Sequence, residues 1–269
     1  MAHPFDEDIR LESPERGVAQ GAISDAWSIV GRPHGGYLLA MALRAFQLEL
    51  EAPDPLSMTA HFLEPGEPGP VRFETRVYRR GRGTTMGETR MIQDGRLRAI
   101  FHGLFGDLEG RVGTTYEEWS PPHRFDPDQC TQVETLAGVT APLMELIDVR
   151  YAPPADRFLR GETGGSLECG GQVAFTGGRP MDMLGLACVI DAYPPTTFSR
   201  YGPAGWVPTL TLSVYFRRRP GPGCWVGAWI RTRCMLDGLL EEDGEFWDSE
   251  GRLLAQCRQL AVFRGRRFR

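Results

Sequence analysis

At 269 residues the chain is long enough for two domains of ordinary size, each with its own core. A hydrophobic content of 41% with 24% charged residues is that of a soluble globular protein, and a formal charge of −5 gives no reason to expect nucleic acid as a partner. No window approaches a membrane span, and the acidic, proline-bearing start from Met1 to Asp8 is unlike a signal peptide, so no membrane is expected and the cytoplasm is the default location.

The first clear element is a loop, Gly31-Arg32-Pro33-His34-Gly35-Gly36, leading into Tyr37 to Ala45. That run is rich in helix formers and apolar almost all round, which predicts a buried helix. Strands are expected at Met58 to Leu63, Val71 to Tyr78, Thr85 to Ile92 and Leu97 to Phe105, separated by Pro-Gly, Gly-Arg-Gly and Asp-Gly turns. The polar stretch from about Gly106 to Asp128, with Pro121, Pro122 and Pro127, reads as a linker, and a packing helix is expected near Thr131 to Ile147. Strand-like runs at Val149 to Arg160 and Leu167 to Phe175 follow. They lead into a second short, wholly apolar helix from Met181 to Asp191, then into strands at Pro208 to Arg217, Trp225 to Cys234, Leu239 to Asp248 and Arg252 to Phe263.

The two halves echo one another. Phe62 in His61-Phe62-Leu63-Glu64-Pro65-Gly66 corresponds to Phe216 in Tyr215-Phe216-Arg217-Arg218-Arg219-Pro220, an offset of 154. Gly95 in Asp94-Gly95-Arg96-Leu97 corresponds to Gly251 in Glu250-Gly251-Arg252-Leu253, an offset of 156. Two matches in the same order at nearly the same spacing argue for internal duplication. Each half is then one apolar helix followed by antiparallel strands, and a helix with no polar face must be wrapped. The expected fold class is α+β, a double hotdog with two antiparallel sheets each wrapping a buried apolar helix. Its divisions are an N-terminal module over 1–115, a linker and packing helix over 116–147, and a C-terminal module over 148–269.

Several chemistries are excluded. All 30 basic residues are arginine, so a Schiff-base lysine and the phosphate-gripping lysine of a P-loop are ruled out, and the lack of asparagine rules out N-glycosylation. There is no G-x-S-x-G elbow and no H-E-x-x-H, and none of the six cysteines forms a C-x-x-C pair, so neither a metal nor an organic cofactor is expected. All five histidines lie in the first half.

The loop and helix from His34 to Leu38, the run Phe62 to Gly66, the second helix ending Ala187 to Asp191, the strand Thr209 to Arg218 and the terminal run Leu253 to Gln259 resemble the acyl-CoA thioesterase II family, the thioesterase-like double-hotdog proteins, over nearly the whole chain. The resemblance implies a catalytic set of Asp191, Thr209 and Gln259 that holds and polarises a water for attack on a thioester carbonyl. It implies acyl-CoA as substrate, and one site per chain, in the second module, is expected because the first half lacks counterparts of this set. The connection from Asp191 to Thr209 is short, and Thr211, two residues on along the same strand face, is the alternative hydroxyl. In the first half Pro55 stands in place of Thr209, and Gly103 in place of Gln259.

The physical reading of these residues agrees. A carboxylate ending an apolar helix meets the negative end of the helix dipole and loses solvent, and both raise its pKa towards that of a useful base. Thr209 and Gln259 supply donors without adding charge. Alternation puts Gln259 on one face with Leu253, Ala255 and Cys257. His34, Gly35 and Gly36 precede a helix N-terminus whose bare N–H groups suit substrate or an oxyanion. Arg217, first of three arginines, is the candidate grip for CoA phosphates, although a solvated strand end is the plainer account of the run. Asp237, Glu241, Glu242, Asp243 and Glu245 read as a solvated acidic hairpin. The rival readings are a hotdog hydratase or dehydratase, which needs a His–Asp pair, and a non-catalytic acyl-binding protein. Sheet edges joining between chains leave a homo-oligomer open.

Overall fold

The computed structural model describes residues 2–51, 54–118, 120–121, 126–134, 141–203 and 207–264. In the first half α1 (Pro4–Asp8), β1 (Glu12–Glu15), β2 (Val18–Ile23) and the small pair β3 (Ser28–Ile29) and β4 (Arg32–Pro33) precede α2 (Gly35–Glu49). Then come β5 (Asp54–Phe62), β6 (Gly69–Arg80), β7 (Thr85–Gln93) and β8 (Arg96–Gly106). The second half runs β9 (Thr131–Gln132), β10 (Ile147–Tyr151), β11 (Glu168–Phe175), α3 (Met183–Val189), α4 (Thr197–Tyr201), β12 (Thr209–Phe216), β13 (Val226–Arg231), β14 (Met235–Leu236), β15 (Leu239–Trp247) and β16 (Leu253–Val262).

All but β3 and β4 join one antiparallel sheet of 14 strands, in the order β1-β2-β6-β7-β8-β5-β12-β16-β15-β13-β11-β10-β9, with β14 on β15. This corrects the expectation of two sheets. β5 and β12, the first strand after the apolar helix in each half, would otherwise leave open edges, and they pair with each other from Ser57 opposite Tyr215 to His61 opposite Thr211. Outward from that seam β5-β8-β7-β6-β2-β1 matches β12-β16-β15-β13-β11-β10 strand for strand, with β9 and β14 extra in the second half, so the halves are related by a pseudo-twofold. Registers repeat as well. Met58 opposite Gly103 becomes Leu212 opposite Gln259, and Gly87 opposite Gly103 becomes Glu242 opposite Gln259.

α2 is buried from Gly36 to Ala45 and again at Phe46, apart from Arg44, as its apolar run predicts. α2 and α3 pack together and share one core with one face of the sheet. The crossing needs glycine, because a Cβ on Gly36 would run into the Cys188 carbonyl and stand 3.0 Å from the Asp191 Cβ.

Two helices differ from expectation. The second apolar helix keeps only Met183 to Val189, capped by the Asp182 side chain on the Gly185 N–H, and Asp191 has already left it. Among the described residues of Thr131 to Ile147 there is no packing helix. Thr131 and Gln132 pair with β10, a single 3₁₀ turn covers Pro142–Glu145, and residues 135–140 lie outside the described residues. Proline at 142 removes a helical donor, and the strand partner offers what a helix would have had to supply. The strand expected from Val149 likewise ends at Tyr151, before Pro153 and Pro154, and continues as a 3₁₀ turn over Ala155–Arg160. Among the described residues no helix is long and apolar enough to cross a membrane.

Candidate active site

The start of α2 is held by its own N-cap. His34 Nδ1 accepts the Tyr37 N–H at 3.2 Å, which leaves the ring hydrogen on Nε2. Nε2 donates across the pseudo-dimer to the Asp191 carbonyl at 2.8 Å and lies 3.5 Å from Asp191 Oδ2. The Gly36 N–H donates to Oδ2 at 3.0 Å. Asp191 thus sits at the positive end of a 15-residue helix from the other half rather than suffering the negative end of its own. This explains why α3 ends early: the carboxylate is drawn out to α2, and Pro194 and Pro195 stop any continuation. Its side chain is 13% exposed. Burial raises its pKa, opposed by the His34 ring and the Gly36 N–H.

Thr209 and Gln259 meet directly, with the Thr209 hydroxyl donating to Gln259 Oε1 at 2.9 Å. A β-bulge makes this contact. Thr209 lies opposite Ala261 and Thr211 opposite Leu260, so β12 advances two positions where β16 advances one, and Leu210 is the extra residue. The extra residue reverses the alternation. Thr209 joins the inner side and lines the cavity, while Thr211 lines an outer groove with Ser213 and Tyr215. The reading that Thr209 and Thr211 share a face is corrected accordingly. The same bulge occurs in the first half between Pro55 and Ser57, which puts Pro55 at the position of Thr209.

The Gln259 amide continues the chain of bonds. Its Nε2 donates to Glu242 Oε2, and Glu242 Oε1 accepts the Thr196 N–H at 2.6 Å, while the Thr196 and Thr232 hydroxyls lie 2.9 Å apart. Glu242 is 3% exposed, which corrects its assignment to a solvated hairpin. Burial raises its pKa, with the Thr196 N–H opposing and nearby Asp191 adding to the rise. The signal was present in the sequence: Leu240, Glu242, Gly244 and Phe246 alternate on one buried face of β15, and the charges between them misled. Glu241, Asp243 and Glu245 do lie on the other face.

These groups converge on one cavity of about 160 Å³. Asp191, Thr209, Glu242 and Gln259 form its polar end, with Gly35 beside them at the first turn of α2. Leu38, Phe62, Met144, Phe198 and Val207 are among its apolar walls. Gly36 takes part through its N–H on Asp191, not through the cavity wall. Arg217 is not brought here. It sits on the outer groove with its guanidinium on Gln256 Oε1 at 2.9 and 3.1 Å. Its neighbours are structural: Arg218 binds Glu117, and Arg219 binds Asp54 and Glu109, fixing the segment after β8 to the end of β12. Among the described residues no cluster of His, Cys, Asp and Glu could hold a metal.

The chain is similar to several known proteins. An uncharacterised protein of Mycobacterium tuberculosis is 27% identical over 287 aligned positions, covering 96% of this chain and 94% of its own. A thioesterase II candidate from Thermobifida fusca is 27% identical with a TM-score of 0.87, covering 97% of both chains. A protein of unknown function with a hotdog fold from Alicyclobacillus acidocaldarius is 24% identical, has a TM-score of 0.86 and covers 97% of this chain and 98% of its own. Residues 23–106 match the acyl-CoA thioesterase N-terminal domain and residues 127–263 the acyl-CoA thioesterase C-terminal domain, so the chain belongs to the acyl-CoA thioesterase family.

Proposed function

We propose that the protein hydrolyses acyl-CoA thioesters to the free acid and CoA, with Asp191, Thr209 and Gln259 as the catalytic residues. The observation that carries this is the Thr209–Gln259 hydrogen bond on the cavity shared with Asp191. Because the Thr209 hydrogen is spent on Gln259, its oxygen is left to accept. A water donating one hydrogen to Thr209 and the other to Asp191 turns a lone pair towards a carbonyl in the cavity. Asp191 takes the proton as the water oxygen bonds to the carbonyl carbon. In this reading the Gly35 N–H, one of the first-turn donors that find no acceptor within the helix, receives the oxyanion. Collapse of the tetrahedral intermediate breaks the C–S bond, and the proton passes from Asp191 to the leaving thiolate. No cofactor or metal enters this sequence.

The cavity volume of about 160 Å³ is close to that of a cavity that takes benzene, so it suits the carbons next to the thioester carbonyl. The hydratase reading has less support. His34 faces Asp191, but its two ring nitrogens are engaged by the Tyr37 N–H and the Asp191 carbonyl, which leaves none for a substrate proton. Free-thiol release from a series of acyl-CoAs, short to long, tests the proposal with wild type and Asp191→Asn in parallel. Turnover that falls by about 100-fold or more in the variant is expected for loss of a general base. Binding without turnover at every chain length would replace the enzyme with an acyl-binding protein.

A further inference from the structure

We propose that Glu242 is a positioning residue for this reaction, holding the Gln259 amide in the one orientation that leaves the Thr209 oxygen free to accept from water. The inference rests on the hydrolase reading above, and the contact between Gln259 and Glu242 anchors it.

A carboxylate buried in the middle of a sheet is costly unless its oxygens are satisfied. Glu242 is 3% exposed and forms no ion pair among the described residues. Its two oxygens are instead committed to one N–H each, from Thr196 and from Gln259. An amide side chain has a donor end and an acceptor end, and a carboxylate only accepts. Glu242 therefore requires Nε2 of Gln259 to face it. Oε1 is then turned to Thr209, and the Thr209 hydrogen must point at Gln259. The direction of every bond from β15 through β16 to β12 follows from the one carboxylate.

The pseudo-twofold supplies a control within the molecule. The row Leu212, Gln259, Glu242 corresponds by register to Met58, Gly103, Gly87. Both polar residues are thus glycine in the first half. A Cβ at Gly87 or Gly103 would lie 3.3 or 3.2 Å from the Phe46 ring, which fills the space there. The sheet position has no general need of a carboxylate, and Glu and Gln are present or absent as a pair.

Glu242→Gln keeps shape and an acceptor for Thr196 but turns a donor towards Gln259. The Gln259 amide must then turn over, and its Nε2 occupies the Thr209 oxygen. The expected result is a kcat lowered about 10- to 100-fold, as for loss of other supporting partners, with KM within about twofold. In a Gln259→Ala background the same change is expected to add nothing, since there is no amide left to hold. A kcat for Glu242→Gln within about twofold of wild type, or its full loss repeated on Gln259→Ala, overturns the proposal.

A readout independent of turnover separates this from failure of the hydrolase reading. The Gln259 side-chain amide signals, assigned in ¹⁵N-labelled protein by their loss in Gln259→Ala, are expected to exchange slowly with solvent and to move in Glu242→Gln. If wild type hydrolyses no thioester but these signals behave so, the hold stands and the reaction does not. Signals that exchange freely, or that stay in place in Glu242→Gln, remove the hold itself. Should Glu242→Gln fail to fold, the exchange rate in wild type decides alone.

Discussion

The hydroxyls of Thr59 and Ser213 lie 3.0 Å apart, and their separation along the chain is 154 residues. That is the offset at which Phe62 repeats as Phe216, so the two residues are copies of one position and their hydrogen bond spans the pseudo-twofold. The neighbouring pairs confirm it. Ser57 faces Tyr215 as His61 faces Thr211, and each pair is the other with its halves exchanged. Duplication and the fusion of two sheets into one are therefore the same fact seen at two scales.

A test at this seam follows. Each hydroxyl is the other's partner, so removing either leaves the survivor without it. Thr59→Val and Ser213→Ala should each cost about 1 kcal/mol, and the double variant should cost no more than the worse single one. Denaturant unfolding of the four proteins gives the coupling. Strictly additive losses would show that the seam is held by backbone pairing alone.

The elements most legible in sequence were those whose signal is local. α2 could be read from its apolar run, and β5 to β8 from Pro-Gly and Asp-Gly turns. The repeat even supplied the correct absences, Pro55 for Thr209 and Gly103 for Gln259, because register drift between the halves is only two residues. What stayed hidden was set by partners distant in the chain. The single sheet depends on β5 meeting β12. The early end of α3 depends on Asp191 meeting Gly36, which lies 155 residues away. Glu242 was obscured by its charged neighbours, although the alternation of Leu240, Gly244 and Phe246 marked its face as buried.

The bulge in β12 makes a clean contrast between two threonines two residues apart. Thr209 faces the cavity and Gln259, whereas Thr211 faces the outer groove. Thr209→Val should lower kcat by at least about 10-fold by removing an oriented acceptor. Thr211→Val should leave it within about twofold, as substitutions away from a site do. Thiol-release kinetics on the best acyl-CoA decide it, and a reversed ranking would mean that the bulge does not set the working face.

Asp191 should trade stability for activity, and pH exposes the trade. Burial holds its pKa above the ordinary aspartate value, so the folded state disfavours its ionised form. For a carboxyl raised in the fold, the contribution to stability is fully present below the ordinary value near 3.9 and is lost as pH climbs through the folded value. Asp191→Asn can still accept from Gly36 but carries no charge to bury. Its melting temperature should therefore match wild type in acid and pull ahead as pH rises past that window. Asp243, whose carboxyl Arg258 holds low, acts in the opposite sense and weakens both proteins alike on acidification, so the difference between the two melting curves isolates Asp191. Activity runs the other way. A base must be ionised to accept a proton, so wild-type kcat/KM should fall on acidification through the same raised value, which the variant lacks. Parallel melting curves at every pH would show that the Asp191 carboxyl titrates as it does in the unfolded chain, and the general base would then have to be sought elsewhere in the cavity.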